Sequence, residues 1–320
     1  MADKPTVWIS RRLSDATIAR AQRDYTVILN EKDGLSDADD IVAMSAKVDA
    51  IIPCHSEHFS AAVAARLDPR LRIIANHSVG VDHCDLPALK ARGIAVTNTP
   101  DVLSDATAEI AMLLMLGAAR RAVEGDTLVR SGGWDVWSPS FMVGKQVTGA
   151  RLGIIGMGRV GQAMARKARG FDMEIHYFNR SRLDPSREAG AVFHNTIDSL
   201  LSAADFLSLH CPATPETTGL LNAARLAKLP RGAVVVNTAR GALVDEAALM
   251  GALDSGHVMA AGLDCFVTEP GGNPGFAKYP NVFMLPHIGS ATVATRDAMG
   301  GRALDNLDAF FAGKTPGDLL

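Results

Sequence analysis

Cysteine is scarce in this chain. Four residues (Cys54, Cys84, Cys211, Cys265) are scattered over 320, and none forms a CxxC pair. That spacing excludes a disulfide framework and a thiolate zinc site, and it implies free thiols in a reducing cytoplasm. Long apolar runs are also missing. The longest, residues 110–119, is about half the ~20 residues a membrane span needs. Met1-Ala2-Asp3-Lys4-Pro5 has no apolar signal core, so secretion is not expected. Neither sign of charge dominates: 32 Lys+Arg against 35 Asp+Glu leave a net charge of −3. Nothing basic is present to attract nucleic acid or an anionic membrane surface. Apolar residues make up 48% and charged residues 21%, which lies in the globular range and excludes disorder. At roughly 100–200 residues per domain, two domains are expected.

What the chain does have is an α/β pattern, stated twice. In the first hundred residues, apolar runs occur at 6–9, 25–29, 50–52, 71–74 and 94–97, with helix-like stretches between them. Ser14-Asp15 can cap the first of these helices, which runs to about Asp24. Continuously apolar runs point to strands buried on both faces, as in a parallel sheet with helices on each side. Residues 105–121 read as a long buried helix. Ser131-Gly132-Gly133-Trp134 breaks the pattern, and the stretch to Gly149 is irregular and holds Trp134 and Trp137. Strand-like runs resume at 152–155, 174–178, 206–209, 233–237, 259–263 and 282–285. The last thirty residues are helical with a polar end.

Strand Leu152-Gly153-Ile154-Ile155 leads into Gly156-Met157-Gly158-Arg159-Val160-Gly161 and then a helix. GxGxxG alone is weak, but between a strand and a helix it reads as a dinucleotide turn. Gly156 allows the tight bend, Gly158 lets the backbone approach a pyrophosphate, and Gly161 lets helix and strand pack closely. The helix N-terminus adds N–H donors and a positive dipole. One strand on, NAD sites usually carry an acid that accepts from the ribose 2′-hydroxyl. Here the strand ends in Asn179-Arg180-Ser181-Arg182. The acid is missing and two arginines stand where a 2′-phosphate would sit, so NADPH is expected over NADH. The alternative is a solvated surface pair.

Three further segments each follow a strand: Thr238-Ala239-Arg240-Gly241, Val267-Thr268-Glu269-Pro270 and Pro286-His287-Ile288-Gly289-Ser290. Ligands of open α/β sheets bind at the carboxyl ends of strands, so Arg240, Glu269 and His287 are expected to converge. The trio suits hydride chemistry on a 2-oxo acid. Histidine is the side chain best matched to proton donation near neutral pH, a neighbouring carboxylate favours imidazolium and orients it, and arginine holds a carboxylate at two points. Alone, each of the three would read as a surface charge or a structural histidine.

Taken together, these residues resemble the D-isomer-specific 2-hydroxyacid dehydrogenases along essentially the whole chain. The matching stretches are His77-Ser78-Val79-Gly80-Val81-Asp82, Asn98-Thr99-Pro100-Asp101-Val102-Leu103, Gly156 to Gly161, Asn237 to Glu246, Leu263 to Pro270 and Pro286 to Thr292. Within the family the chain is most similar to the glyoxylate/hydroxypyruvate reductases, through Gly132-Gly133-Trp134 with Trp137, Thr97-Asn98-Thr99-Pro100-Asp101, and Arg180 in place of an acid. The resemblance implies two doubly wound parallel-sheet domains. A Rossmann cofactor domain (101–287) would be inserted in a flavodoxin-like substrate domain (1–100 and 288–320), with the helix at 104–121 bridging them. It implies catalysis by Arg240, Glu269 and His287, with the substrate also held by Val79, Gly80, Ser290 and Trp137. Cofactor contacts would come from Gly156, Gly158, Arg159, Val160, Gly161, Asn179, Arg180, Ser181, Arg182, Cys211, Thr238 and Asp264. For Asp264 there are two readings, an acceptor for the nicotinamide amide or a strand-end cap. The resemblance also implies a homodimer in which Trp137, on an arm at 134–149, narrows the partner's site. Without the resemblance, Trp134 and Trp137 read as core anchors or an interface patch. Pro53-Cys54-His55-Ser56 departs from relatives where they line the pocket, and His55 is either an extra titrating group or a surface histidine.

The expected function is therefore NADPH-preferring reduction of a small 2-oxo acid, glyoxylate or hydroxypyruvate, to the D-2-hydroxy acid, with NADH also possible. A larger substrate such as phenylpyruvate would keep the mechanism. A nucleotide-sensing binding protein on the same scaffold is the non-enzyme alternative, opposed by the intact trio. Phosphoglycerate dehydrogenase is disfavoured because no regulatory domain is found before Leu320, and formate dehydrogenase because Glu269 stands where that branch has Gln. No metal, membrane or nucleic-acid partner is expected.

Overall fold

The structure, a computed structural model, describes residues 4–320. Contacts divide the chain into two units, residues 4–103 with Ser290–Leu320, and Ser104–Gly289. These boundaries lie two or three residues beyond those expected from the sequence.

The first unit has five parallel strands: β1 (Thr6–Ile9), β2 (Thr26–Leu29), β3 (Ala50–Ile52), β4 (Ile73–Ala75) and β5 (Ala95–Thr97), in the order β2-β1-β3-β4-β5. This is the flavodoxin-like order. Alternate residues of each strand serve opposite faces. Val7, Ile9, Ala50 and Ile52 pack with Ala303, Leu304 and Leu307 of the helix Val293–Phe311. Trp8, Ile51, Ile74 and Val96 pack with Ile41, Val63, Leu67 and Leu89 from helices on the other side. Ser14 caps Asp15–Asp24 by accepting from the Thr17 N–H, as its position before the apolar pattern suggests.

The second unit has seven parallel strands: β6 (Arg151–Ile155), β7 (Glu174–Phe178), β8 (Val192–Phe193), β9 (Phe206–Leu209), β10 (Ala233–Asn237), β11 (Val258–Leu263) and β12 (Val282–Met284). Their order, β12-β11-β10-β9-β6-β7-β8, is the Rossmann order extended by one strand. The two-residue strand β8 was not foreseen, because two residues carry no usable periodicity. Leu152, Ile154, Val234 and Val236 face one core, and Ile155, Leu207, Leu209 and Val235 face the other. The helix Ser104–Ala119 packs closely over the sheet because its crossing points lack side-chain bulk: Gly117 meets the Phe283 ring, and Gly262 lies beneath Leu114. The chain leaves that helix through Arg121, which adopts a left-handed backbone at φ 56°.

All four cysteines are free thiols. Burial pushes the Cys84 thiol up to about 12 and the Cys211 thiol up to about 11. Among the described residues, no helix is long and apolar enough to cross a membrane.

Two desolvated imidazoles, His77 buried and His210 half-buried, make the fold acid-sensitive. Burial lowers His77 and His210 to about 4 from the ordinary 6.5. Between these values the unfolded chain binds protons that the native chain refuses, so stability falls as pH drops from 6.5 toward 4. The expected loss is roughly 2 kcal/mol per imidazole by pH 5. Urea unfolding across this range tests it: H77N and H210N should each flatten the slope, and slopes identical to wild type would refute the assignment.

Candidate active site

The glycine turn is shaped by close approach. Gly156 sits at φ 95°, a left-handed conformation that side chains disfavour, with its α-carbon against the backbone of His210 and Cys211. A β-carbon on Gly161 would overlap the Gly156 carbonyl oxygen, so helix and turn can pack only as glycine. In front of Gly158 the space is open. The helix Arg159–Arg169 starts there with no side-chain cap on its N–H groups. β6 and β9 are neighbours where the strand order reverses, which places this cradle at the crevice of the sheet. Two buried polar atoms close by lack partners among the described residues: Thr238 Oγ1 after β10 and His210 Nδ1 after β9. An open glycine turn, an uncapped helix start and orphaned polar atoms at one carboxyl edge fit a bound dinucleotide. His210, held through Nε2 by the Ser208 hydroxyl at 2.8 Å, was missed from the sequence. Its only signal was its place immediately after a strand.

The trio expected from the sequence stands on the adjoining strand ends. Asn237 ends β10, and its side chain shapes the next turn, accepting from the Ala239 N–H at 3.0 Å and donating to the Arg240 carbonyl at 2.8 Å. Gly241, the following residue, presses against the backbone of Phe266 and Val267, so the Arg240 turn and the Glu269 loop are in contact. Glu269 accepts from the Phe266 N–H through Oε1 at 2.7 Å and from His287 Nδ1 through Oε2 at 2.6 Å. That second bond assigns the Nδ1 proton and leaves Nε2 as the nitrogen for proton exchange. The buried Cys265 thiol, raised first by burial, feels the charges of Glu269, Arg240 and Asp264 together. The structure thus gathers the expected trio at the ends of β10, β11 and β12.

His287 has a left-handed backbone at φ 55°. Such a conformation costs roughly 1–3 kcal/mol in a residue with a side chain. Asp264 holds it: Oδ1 accepts from the Ile288 N–H at 2.8 Å and Oδ2 from the Gly289 N–H at 2.7 Å. Asp264 is 1% exposed, and burial raises its carboxyl above the usual range against these two donors. These bonds reach the loop after β12, a clamp that neither of its two sequence readings describes. Glu246 was also missed. It steadies the Glu269 loop by accepting from the Val267 N–H at 3.0 Å and from Asn273 Nδ2 at 2.7 Å.

Asn179, Arg180 and Ser181 lie at the carboxyl end of β7 with Arg180 and Ser181 exposed. Arg182 is turned onto Glu188, Nε to Oε1 at 2.8 Å. In the first unit, the carbonyls of Val79 and Gly80 accept from Asn98 Nδ2 at 2.9 Å and the Ser78 hydroxyl at 2.8 Å. Ser290 opens the second segment of that unit. Trp134 and Trp137 are 55% and 75% exposed, which overturns the reading as core anchors. They belong to an exposed apolar stretch with Val129, Val136, Phe141 and Val143, and the helix Ala122–Arg130 buries no residue.

The chain is similar to known proteins along nearly its whole length. The family profile described as D-isomer specific 2-hydroxyacid dehydrogenase, NAD binding domain, matches residues 112–289. A glycerate dehydrogenase of Hyphomicrobium methylovorum is 44% identical over 312 residues, 97% of each chain. A glyoxylate reductase of Pyrococcus horikoshii is 40% identical over 99% of this chain and 96% of its own. Among solved structures, a glyoxylate reductase from Paecilomyes thermophila has a TM-score of 0.88 at 32% identity, covering 100% of this chain and 98% of that one. An NADPH-dependent glyoxylate/hydroxypyruvate reductase from Sinorhizobium meliloti, in complex with NADP and malonate, has a TM-score of 0.87 at 31% identity, covering 99% and 97%. With the profile spanning more than half of its residues and relatives this similar along nearly its whole length, the chain belongs to the D-isomer specific 2-hydroxyacid dehydrogenases, oxidoreductases built on a nicotinamide-dinucleotide domain.

Proposed function

We propose that this protein reduces a small 2-oxo acid, glyoxylate or hydroxypyruvate, to the D-2-hydroxy acid, and that it prefers NADPH. The observation that carries this reading is the 2.6 Å bond from His287 Nδ1 to Glu269, on strand ends beside the glycine cradle. The similarity to a glyoxylate reductase and a glycerate dehydrogenase supports the substrate class. The similarity to an NADPH-dependent reductase in complex with NADP supports the cofactor.

A bound nicotinamide supplies the hydride. The chain supplies the rest. Arg240 holds the substrate carboxylate and polarises the carbonyl, since its planar fork matches two oxygens at once. His287 delivers a proton from Nε2 to the oxygen on which charge develops. Glu269 keeps the ring oriented through its bond to Nδ1. In this reading the N–H groups of Val79 and Gly80 add donors to the same carboxylate, with Ser290 beside the substrate. Gly156, Gly158, Arg159, Val160 and Gly161 cradle the pyrophosphate, Cys211, Thr238 and Asp264 line the crevice, and Asn179, Arg180, Ser181 and Arg182 face the adenosine ribose. The exposed Trp134–Val143 stretch is the surface through which the protein forms a homodimer, and Trp137 narrows the partner's substrate site.

H287A should lower kcat by ~100- to 10,000-fold while NADPH still binds, as measured by turnover and fluorescence titration. Near-normal turnover would remove His287 from the acid role. Replacing Arg180 and Arg182 together by Ala should reduce kcat/KM roughly 10- to 100-fold with NADPH and far less with NADH. Equal losses with both cofactors would refute the phosphate reading. Wild type should have the mass of a dimer by light scattering, and W137A should shift kcat/KM from glyoxylate toward phenylpyruvate. A monomer, or an unmoved substrate ladder, would sink the role given to Trp137.

A further inference from the structure

The loop after β7 is gripped from behind by a buried carboxylate. Arg182 pairs side-on with Glu188, Nε to Oε1 at 2.8 Å and Nη2 to Oε2 at 3.0 Å. The Arg182 side chain is 60% exposed, whereas that of Glu188 is 8% exposed. Tyr177, inside β7, donates its hydroxyl to the same carboxylate at 2.6 Å and accepts the Leu183 N–H at 3.1 Å. Arg169 donates to the Glu188 carbonyl at 3.0 Å, and the Phe193 ring of β8 lies 5.8 Å from the Arg182 guanidinium. Arg182 first and Tyr177 second hold the Glu188 carboxyl down to about 2, so it stays ionised through the range in which enzymes are assayed.

Arg180 and Arg182 look alike in sequence but differ electrically. Arg180 is exposed and makes no ion pair among the described residues. The charge it meets is that of Glu216, whose carboxyl is lowered first by the Thr214 hydroxyl and more weakly by Arg180. Arg182 and Glu188 together carry no net charge. Two of the five guanidinium donors are already used, and an anion approaching the remaining three meets a neutralised pair.

We propose that Glu188 sets cofactor selectivity: by neutralising Arg182 it leaves Arg180 as the cation that meets a 2′-phosphate, and so tempers the preference for the phosphorylated dinucleotide. This rests on the reading of residues 179–182 as the loop that faces the ribose. Removing the Glu188 charge, with little change in shape, restores one positive charge at the site. In this exposed setting one charge alters the affinity for a phosphate several-fold, and salt screens the effect.

The test is calorimetric titration of the whole protein with adenosine 2′,5′-bisphosphate and with 5′-AMP, two ligands that differ only in the 2′-phosphate. In E188Q the affinity ratio should rise ~3- to 10-fold over wild type and the rise should shrink with added salt. R182A in the E188Q background should abolish the rise. An E188Q ratio that is unchanged or lower overturns the proposal. Y177F keeps the carboxylate and its Arg182 pair, so its ratio should match wild type, and a rise equal to that of E188Q would assign the effect to loop shape and overturn the proposal. If E188Q does not fold, single variants decide. R182A should lower the ratio much less than R180A does, and an equal or larger loss overturns the proposal. The two readings fail differently: R180A leaving the ratio intact sinks the 2′-phosphate reading of the loop, whereas an R180A loss with a flat E188Q response sinks Glu188 alone.

Discussion

One buried carboxylate keeps the reacting end of the larger unit in shape. Asp264 spends both oxygens on successive backbone N–H groups, those of Ile288 and Gly289. The two bonds fix the left-handed backbone at His287, a conformation that costs roughly 1–3 kcal/mol in a residue with a side chain. That backbone brings the imidazole to Glu269 at 2.6 Å. Glu269 is in turn fixed by the Phe266 N–H, and its loop by Glu246. The position of the imidazole thus depends on backbone and carboxyl groups from neighbouring loops, which hold a hydrogen-bonded pair at a half-buried site.

Much of this was legible in the sequence, and the reasons are local. Continuously apolar strands such as Ala233–Asn237 can be read because both faces of a parallel sheet are buried. GxGxxG is informative because its neighbours impose a strand before it and a helix after it. Arg240, Glu269 and His287 could be placed at one edge because each follows a strand, and strand ends of an open sheet point to one edge. What escaped the sequence depends on partners distant along the chain or on the state of a side chain. Asp264 as the clamp of residues 288 and 289 requires knowing that two loops meet. The exposure of Trp134 and Trp137 runs against the ordinary preference of large rings for burial. Arg180 and Arg182 are two residues apart, and nothing in their spacing reveals that one is matched by a glutamate on the next short helix.

The cysteines show how burial decides reactivity. Cys54, Cys84, Cys211 and Cys265 are all held well above the ordinary thiol range, mainly by burial. A thiol that ionises so reluctantly is a poor nucleophile, so these cysteines serve as packing groups. The few thiols anticipated from the composition are chemically quiet.

The split first unit carries a consequence for synthesis on the ribosome. One face of its sheet, lined by Val7, Ile9, Ala50 and Ile52, is covered by Ala303, Leu304 and Leu307. Those residues emerge about 200 positions after residue 103, which at 5–20 residues per second leaves that face bare for roughly 10–40 s. The continuous stretch Ser104–Gly289 suffers no such delay. In the nascent chain that face is therefore open to chaperone capture until the helix Val293–Phe311 emerges and covers it.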